Sequence, residues 1–214
     1  MAHHRPFQII GYHSCDKEVG LKVINGTELL KPSKNSWDWL GNGIYFWEQN
    51  PLRALQYAEE AALKKQFFAG EITTPFVIGA IIELGKNCLN LIEPDSVVVL
   101  KEAYKGLEEI YKKANKKMPV NTENNRQLDC NVFKHLHKSR NENGLGAFET
   151  IRCAFVEGEK IYPNANFNER LHIQVCVINQ DLIRGFFLPL PTEKFNPYLN
   201  KEFDKDEAKK RYGV

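Results

Sequence analysis

The stretch that most constrains this chain is Leu40-Gly41-Asn42-Gly43-Ile44-Tyr45-Phe46-Trp47-Glu48, followed by a helix-like run from Asn50 to Phe68. Two glycines around Asn42 permit a tight turn with positive φ and let the backbone pass close to a ligand. Ile44, Tyr45 and Phe46 read as a short buried strand that projects the Tyr45 ring from a rigid base. Asn50 suits a helix N-cap and Pro51 the first helical position. Leu52, Leu55, Ala58 or Ala62, Leu63 and Phe67 then recur at helical spacing. Tyr57 lies on another face of that helix and is expected to fold back toward Tyr45. Two rings beside a glycine turn make a slot for a flat heteroaromatic ligand; the alternative is a turn packed with core aromatics.

A chain of 214 residues buries one good core and suits a single domain over 1–200, with a charged tail over 201–214. With 43% hydrophobic and 26% charged residues it has the balance of an ordinary globular protein, and a net charge of +2 does not argue for nucleic acid by itself. No apolar run is long enough to span a bilayer and the start does not read as a signal peptide, so no membrane partner is expected. Five cysteines without a CxxC pair or metal-ligand spacing point to reduced thiols, a cytoplasmic setting and no metal site.

Strands are expected over Phe7 to Ser14, with His13 at its end, and over Phe76 to Leu84, with a short sequel at Cys88 to Leu91. Val19 to Leu30 is expected to include one helical turn, and Lys31 to Trp39 reads as a polar loop that covers whatever Tyr45 lines. Ser96 is expected to cap a helix from Val97 to Lys117, and Leu128 to His137 to form a shorter one. Lys112, Lys113, Lys116 and Lys117, with Lys134, His135, His137, Lys138 and Arg140, make two basic clusters. Facing one way, these would attract phosphate backbones; separately, the first is a solvated helix end that suits the helix dipole. Ile151 to Val156 and Ile183 to Leu188 read as strands. In Leu171 to Ile178 the apolar Leu171, Ile173, Val175 and Val177 alternate with His172, Gln174, Cys176 and Ile178, which puts Gln174 on the same face as His172.

The order of Tyr12-His13-Ser14, Leu40 to Phe46 with Tyr57 behind it, and Gln174 in a late strand resembles the ADP-ribosyltransferase superfamily. The likeness is to the branch with a His-Tyr-Glu signature that includes the poly(ADP-ribose) polymerases and bacterial mono-ADP-ribosyltransferases. The resemblance implies an α+β fold in which two small antiparallel sheets form an NAD cleft with flanking helices. It implies catalytic roles for His13, Tyr45 and Gln174. His13 would bind the adenosine ribose, the Ser14 backbone the nicotinamide carboxamide, Tyr45 would stack on nicotinamide and Tyr57 would form the opposite wall. Tyr12 and Gly43 complete the implied binding surface, and Gln174 would reach the nicotinamide ribose. A polar group at that ribose helps because glycosidic cleavage passes through an oxocarbenium-like state.

The chain departs from the family pattern in three places. Ser14 replaces a glycine, Arg53 and Ala54 stand where a helix serine is usual, and Gln174 replaces a glutamate. A neutral amide cannot act as a base, which favours transfer of a single ADP-ribose over chain elongation. Glu157, Glu159 or Glu169 are candidates for the missing carboxylate. The expected activity is therefore NAD-dependent mono-ADP-ribosylation of a macromolecular acceptor, protein or RNA/DNA. A bacterial or phage toxin or effector would act this way, with an antitoxin or inhibitor as a further partner. The other reading from the same residues is an NAD or ADP-ribose binding module without catalysis. A thiol enzyme pairing Cys15 with His13 lacks a further partner.

Overall fold

The computed structural model describes residues 8–63, 72–122 and 125–212. The chain folds as an α+β unit around one seven-stranded mixed sheet. In chain order the elements are β1 (Gln8–Asp16), α1 (Lys17–Ile24), β2 (Ile44–Glu48), α2 (Pro51–Leu63), β3 (Pro75–Glu83), β4 (Cys88–Asn90), α3 (Pro94–Lys113), α4 (Gln127–Glu142), β5 (Thr150–Phe155), β6 (His172–Val177), β7 (Ile183–Phe187), α5 (Thr192–Phe195) and α6 (Lys205–Tyr212). Across the sheet the strands run β4-β5-β6-β2-β1-β3-β7. Among the described residues only β4 and β5 pair in parallel; every other pairing is antiparallel.

This corrects the expectation of two separate antiparallel sheets. The sheet is continuous because β1 and β2 share two residue pairs, Gly11 with Glu48 and Tyr12 with Trp47. That junction is narrow, since β1 keeps nine pairs with β3 on its other side. Past Tyr12 the two strands part.

Paired residues share a face, so the register divides the sheet into two surfaces. One carries Ile9, Cys15, Ile44, Phe46, Ile78, Ile82, Val175 and Val177, packed with Val23 of α1 and Leu30. The other is covered in two places. Helix α2 lies over Trp47 and Val77 through Ala54 and Leu55, while α3 and α4 lie over Ile151 and Cys176 through Ala103, Leu107, Val132 and Phe133. Strand β6 is therefore packed from both sides, and Cys176 is as fully buried as Val175.

Several boundaries differ from the expected ones. Helix α1 has two turns, because Asp16 caps it by accepting from the Glu18 amide at 2.9 Å. Helix α3 starts at Pro94, ahead of Ser96, as proline suits the first helical position. Helix α4 runs on to Glu142, beyond His137. The Asn50 cap forms as expected, its side chain accepting from the Arg53 amide at 3.0 Å. The buried arc of α2 is wider than its apolar stripe. Leu52 is exposed, whereas Arg53 and Glu59 are buried along with Ala54, Leu55, Ala58, Ala61 and Ala62. Phe67 and Phe68 lie outside the described residues. The charged tail forms α6, whose Ala208 is buried and whose Arg211 and Tyr212 reach Glu59 of α2.

Candidate functional site

The three motif-bearing strands are consecutive in the sheet: β6 with Gln174, β2 with Tyr45 and β1 with His13. Strands more than a hundred positions apart in sequence thus lie side by side. They do not all face the same way. By register Tyr45, Trp47, His172, Gln174 and Cys176 share the face that α2, α3 and α4 cover, together with Tyr12 and Ser14. The His13 ring packs on Phe46 of the opposite face, with ring centroids 5.5 Å apart. Its Nδ1 lies 2.8 Å from the Tyr45 carbonyl oxygen, so the imidazole bridges the gap where β1 and β2 part. A carbonyl only accepts, so Nδ1 carries the proton and Nε2 keeps its lone pair. Burial lowers the His13 pKa below the usual histidine value, which keeps the ring neutral.

Ser14 stands next in β1, opposite Val77 of β3. Asn196 takes both main-chain groups of Val77: Val77 N–H donates to its Oδ1 at 2.7 Å and its Nδ2 donates to the Val77 carbonyl at 2.9 Å. Val77 therefore directs both groups away from β1, and Ser14 sits in a non-hydrogen-bonded pair. Its own N–H and C=O point toward the side that β2 has left. The Ser14 hydroxyl is spent elsewhere, donating to the Ala54 carbonyl and tying β1 to α2.

Tyr45 is half-buried and its hydroxyl is committed to the glycine turn. It accepts from Leu40 N–H at 2.9 Å and donates to the Gly41 carbonyl at 2.6 Å. Burial pushes this phenol well above its ordinary pKa. Gly41 takes a positive φ of 77°, whereas Gly43 is needed for a different reason. A Cβ there would strike Cys176 Sγ and come within 2.9 Å of the Val177 carbonyl oxygen. The loop before the turn folds onto itself, with Asp38 accepting from Ser33 Oγ at 2.8 Å and from Asn35 N–H at 2.9 Å. Tyr57 meets Trp47, with ring centroids 4.9 Å apart. Burial raises its phenol pKa to about 12.

Gln174 belongs to a polar cluster that includes one of the three candidate carboxylates. Gln174 Nε2 lies 3.1 Å from His172 Nε2, and His172 Nδ1 lies 2.8 Å from the Arg170 carbonyl and 3.7 Å from Glu157 Oε2. Arg53 Nη2 donates to Glu157 Oε2 at 3.0 Å. Glu159 and Glu169 are exposed and stand apart. Arg53 and Trp47 are 6% and 3% exposed, yet Arg53 Nε, Arg53 Nη1 and Trp47 Nε1 are buried without an acceptor among the described residues. Three unpaired N–H groups of this kind, on side chains stacked 6.0 Å apart, suit an oxygen-bearing ligand or ordered water.

Three of these features escaped the sequence reading. Arg53 registered there only as a missing serine, Trp47 only as a member of the Leu40 to Glu48 stretch, and His172 only as a neighbour of Gln174. The spacing of His172 and Gln174 was a usable signal, since residues two apart in a strand project together.

A cleft of about 340 Å³ opens on the same face, beside Gln174. Trp39, Leu100, Tyr104, Phe133, Cys153 and Phe155 are among its walls, and Cys153 is the cross-strand partner of Gln174. Strands β6 and β2 separate it from His13 and Ser14. The second basic cluster is partly consumed internally: Lys134 donates to the Asn35 carbonyl at 3.4 Å, and Arg140 lies 4.0 Å over the Phe148 ring. Among the described residues no helix is long and apolar enough to cross a membrane.

Comparison of the chain with family models, with curated proteins and with solved structures gives no match.

Proposed function

We propose that this protein is a cytoplasmic mono-ADP-ribosyltransferase that uses NAD as co-substrate and modifies a protein or nucleic-acid acceptor. The observation that carries the reading is the open edge at His13 and Ser14. There the parting of β1 and β2 leaves a strand edge whose N–H and C=O at Ser14 have no partner among the described residues, beside an imidazole whose Nε2 is an acceptor. A carboxamide pairs with such an edge through one N–H and one C=O, as a further strand would. Its support is threefold: the adjacency of the three motif strands, the neutral His13, and the unpaired donors of Arg53 and Trp47.

In this reading NAD supplies the ADP-ribosyl group, and nicotinamide is the leaving group. The Ser14 main chain holds the carboxamide, and Arg53 replaces the missing serine with donors to the same carbonyl. His13 Nε2 accepts from a ribose hydroxyl. Gln174 orients the second ribose, and Glu157 is the nearest carboxylate able to take the acceptor's proton. Its ion pair with Arg53 fixes where that carboxylate stands.

The test is to incubate the protein with adenylate-labelled NAD and a cell lysate, then separate protein from nucleic acid and assay free nicotinamide. Label in one fraction, lost in His13→Phe, is the expected result and names the acceptor class. NAD binding without nicotinamide release would identify a binding module instead. Absence of both would end the NAD reading.

A further inference from the structure

Gln174 occupies a position where a carboxylate would offer two equivalent acceptors, but an amide offers one acceptor and one donor group. Which end meets a ligand depends on what holds the other end. His172 is fully enclosed: its side chain has 0% exposure, and the ring of Phe155 stacks on it with centroids 5.9 Å apart and planes at 27°. Its Nδ1 faces the Arg170 carbonyl at 2.8 Å, an atom that only accepts, so the proton resides on Nδ1. The Nε2 lone pair is then an acceptor, 3.1 Å from the Gln174 amide nitrogen. The amide must donate there, which turns Gln174 Oε1 away from His172. Glu157 Oε2, 3.7 Å from Nδ1 and held by Arg53, reinforces the same tautomer. The Arg170 side chain is occupied with Glu60 at 2.9 Å and does not compete.

We propose that His172 is a positioning residue that fixes the orientation of the Gln174 amide, so that Gln174 presents its carbonyl oxygen to a ribose hydroxyl as a glutamate would. This role rests on the NAD-cleaving reading above. It explains how an amide serves a position that calls for an acceptor, and it makes a buried histidine outside the His13 and Tyr45 motifs necessary for turnover.

A carboxylate accepts whichever way it rotates, so it does not need His172. The experiment is therefore a double-variant cycle on nicotinamide release from NAD, with nitrogen NMR of the wild-type histidines beside it. His172→Phe keeps the ring stacked on Phe155 and removes the acceptor. It is expected to lower kcat about tenfold, the value of one lost hydrogen bond, while KM for NAD stays within about threefold. In a Gln174→Glu background the same change is expected to have no effect. NMR is expected to show His172 protonated at Nδ1. Wild-type turnover with an unaffected His172→Phe variant would overturn this role alone, as would equal losses in both backgrounds or a proton on Nε2. Wild-type protein that releases no nicotinamide would overturn the functional reading, and this role with it. If His172→Phe fails to fold, the tautomer measured in the wild type still decides the orientation of the amide.

Discussion

Helix α2 buries two charged side chains, Arg53 and Glu59, and the fold treats them in opposite ways. Glu59, 1% exposed, accepts from the hydroxyls of Tyr198 and Tyr212 and from Arg211 Nη1 at 3.2 Å. All of these partners come from the last part of the chain. Among the described residues Arg53 has one ion-pair partner, Glu157, and its Nε and Nη1 are buried without an acceptor. A satisfied buried charge works as a clasp, here between α2 and the C-terminal segment. An unsatisfied one costs stability in the free protein and lowers that cost when a ligand arrives. The first end of α2 therefore reads as the working end and the second as the anchored one.

Breaking the clasp should have the largest effect on stability. Glu59→Ala removes the acceptor that Tyr198, Tyr212 and Arg211 share, and is expected to lower unfolding free energy by about 3 kcal/mol in urea titration. NAD should raise the melting temperature of this variant as much as that of the wild type. Tyr45→Phe comes next, since Leu40 N–H and the Gly41 carbonyl lose their shared partner. A loss of about 2 kcal/mol, with faster amide exchange at Leu40, is expected.

Arg53→Met sharpens the contrast. It removes unpaired donors along with one ion pair, and Glu157 retains access to water. Stability should change by about 1 kcal/mol or less, while nicotinamide release falls about 100-fold and stabilisation by NAD disappears. A large stability loss with unchanged turnover would make Arg53 a second clasp.

A smaller effect should follow pH. Burial lowers His137 to about 4, with nearby Arg140 adding to the shift, and burial also lowers His13 and His172. From pH 6.5 down to about 4 the unfolded chain binds a proton at position 137 that the folded chain does not. Stability is thus intact above 6.5 and falls as pH drops through that window, by up to about 1.4 kcal/mol per unit for this histidine. His137→Gln should flatten the slope measured by urea unfolding at pH 7 and pH 5. The smallest effect is expected for Cys15→Ala. Burial pushes this thiol to about 12, so it is inert at neutral pH. Turnover should be unchanged; a dead variant would revive a thiol mechanism.

Local chemistry was legible in the sequence. The Asn50 cap, the glycine turn at Gly41 and the alternation in β6 depend on neighbours a few residues away, and they stand where composition and spacing put them. The position of His172 beside Gln174 was legible for the same reason. Other features had no local signature. Strand β4 follows β3 in the chain but pairs in parallel with β5 on the far edge, and β1 joins β2 by two residue pairs rather than beginning a second sheet. The partners of Glu59 lie well over a hundred residues away, so nothing near it marks it as buried. The tautomer that directs Gln174 depends on a carbonyl at Arg170, and the open edge at Ser14 on an amide from Asn196. Periodicity and capping act along the chain, and a single sequence records them. Strand pairing, burial of charge and the direction of a hydrogen bond are set by what the rest of the chain brings alongside, which only the tertiary structure decided.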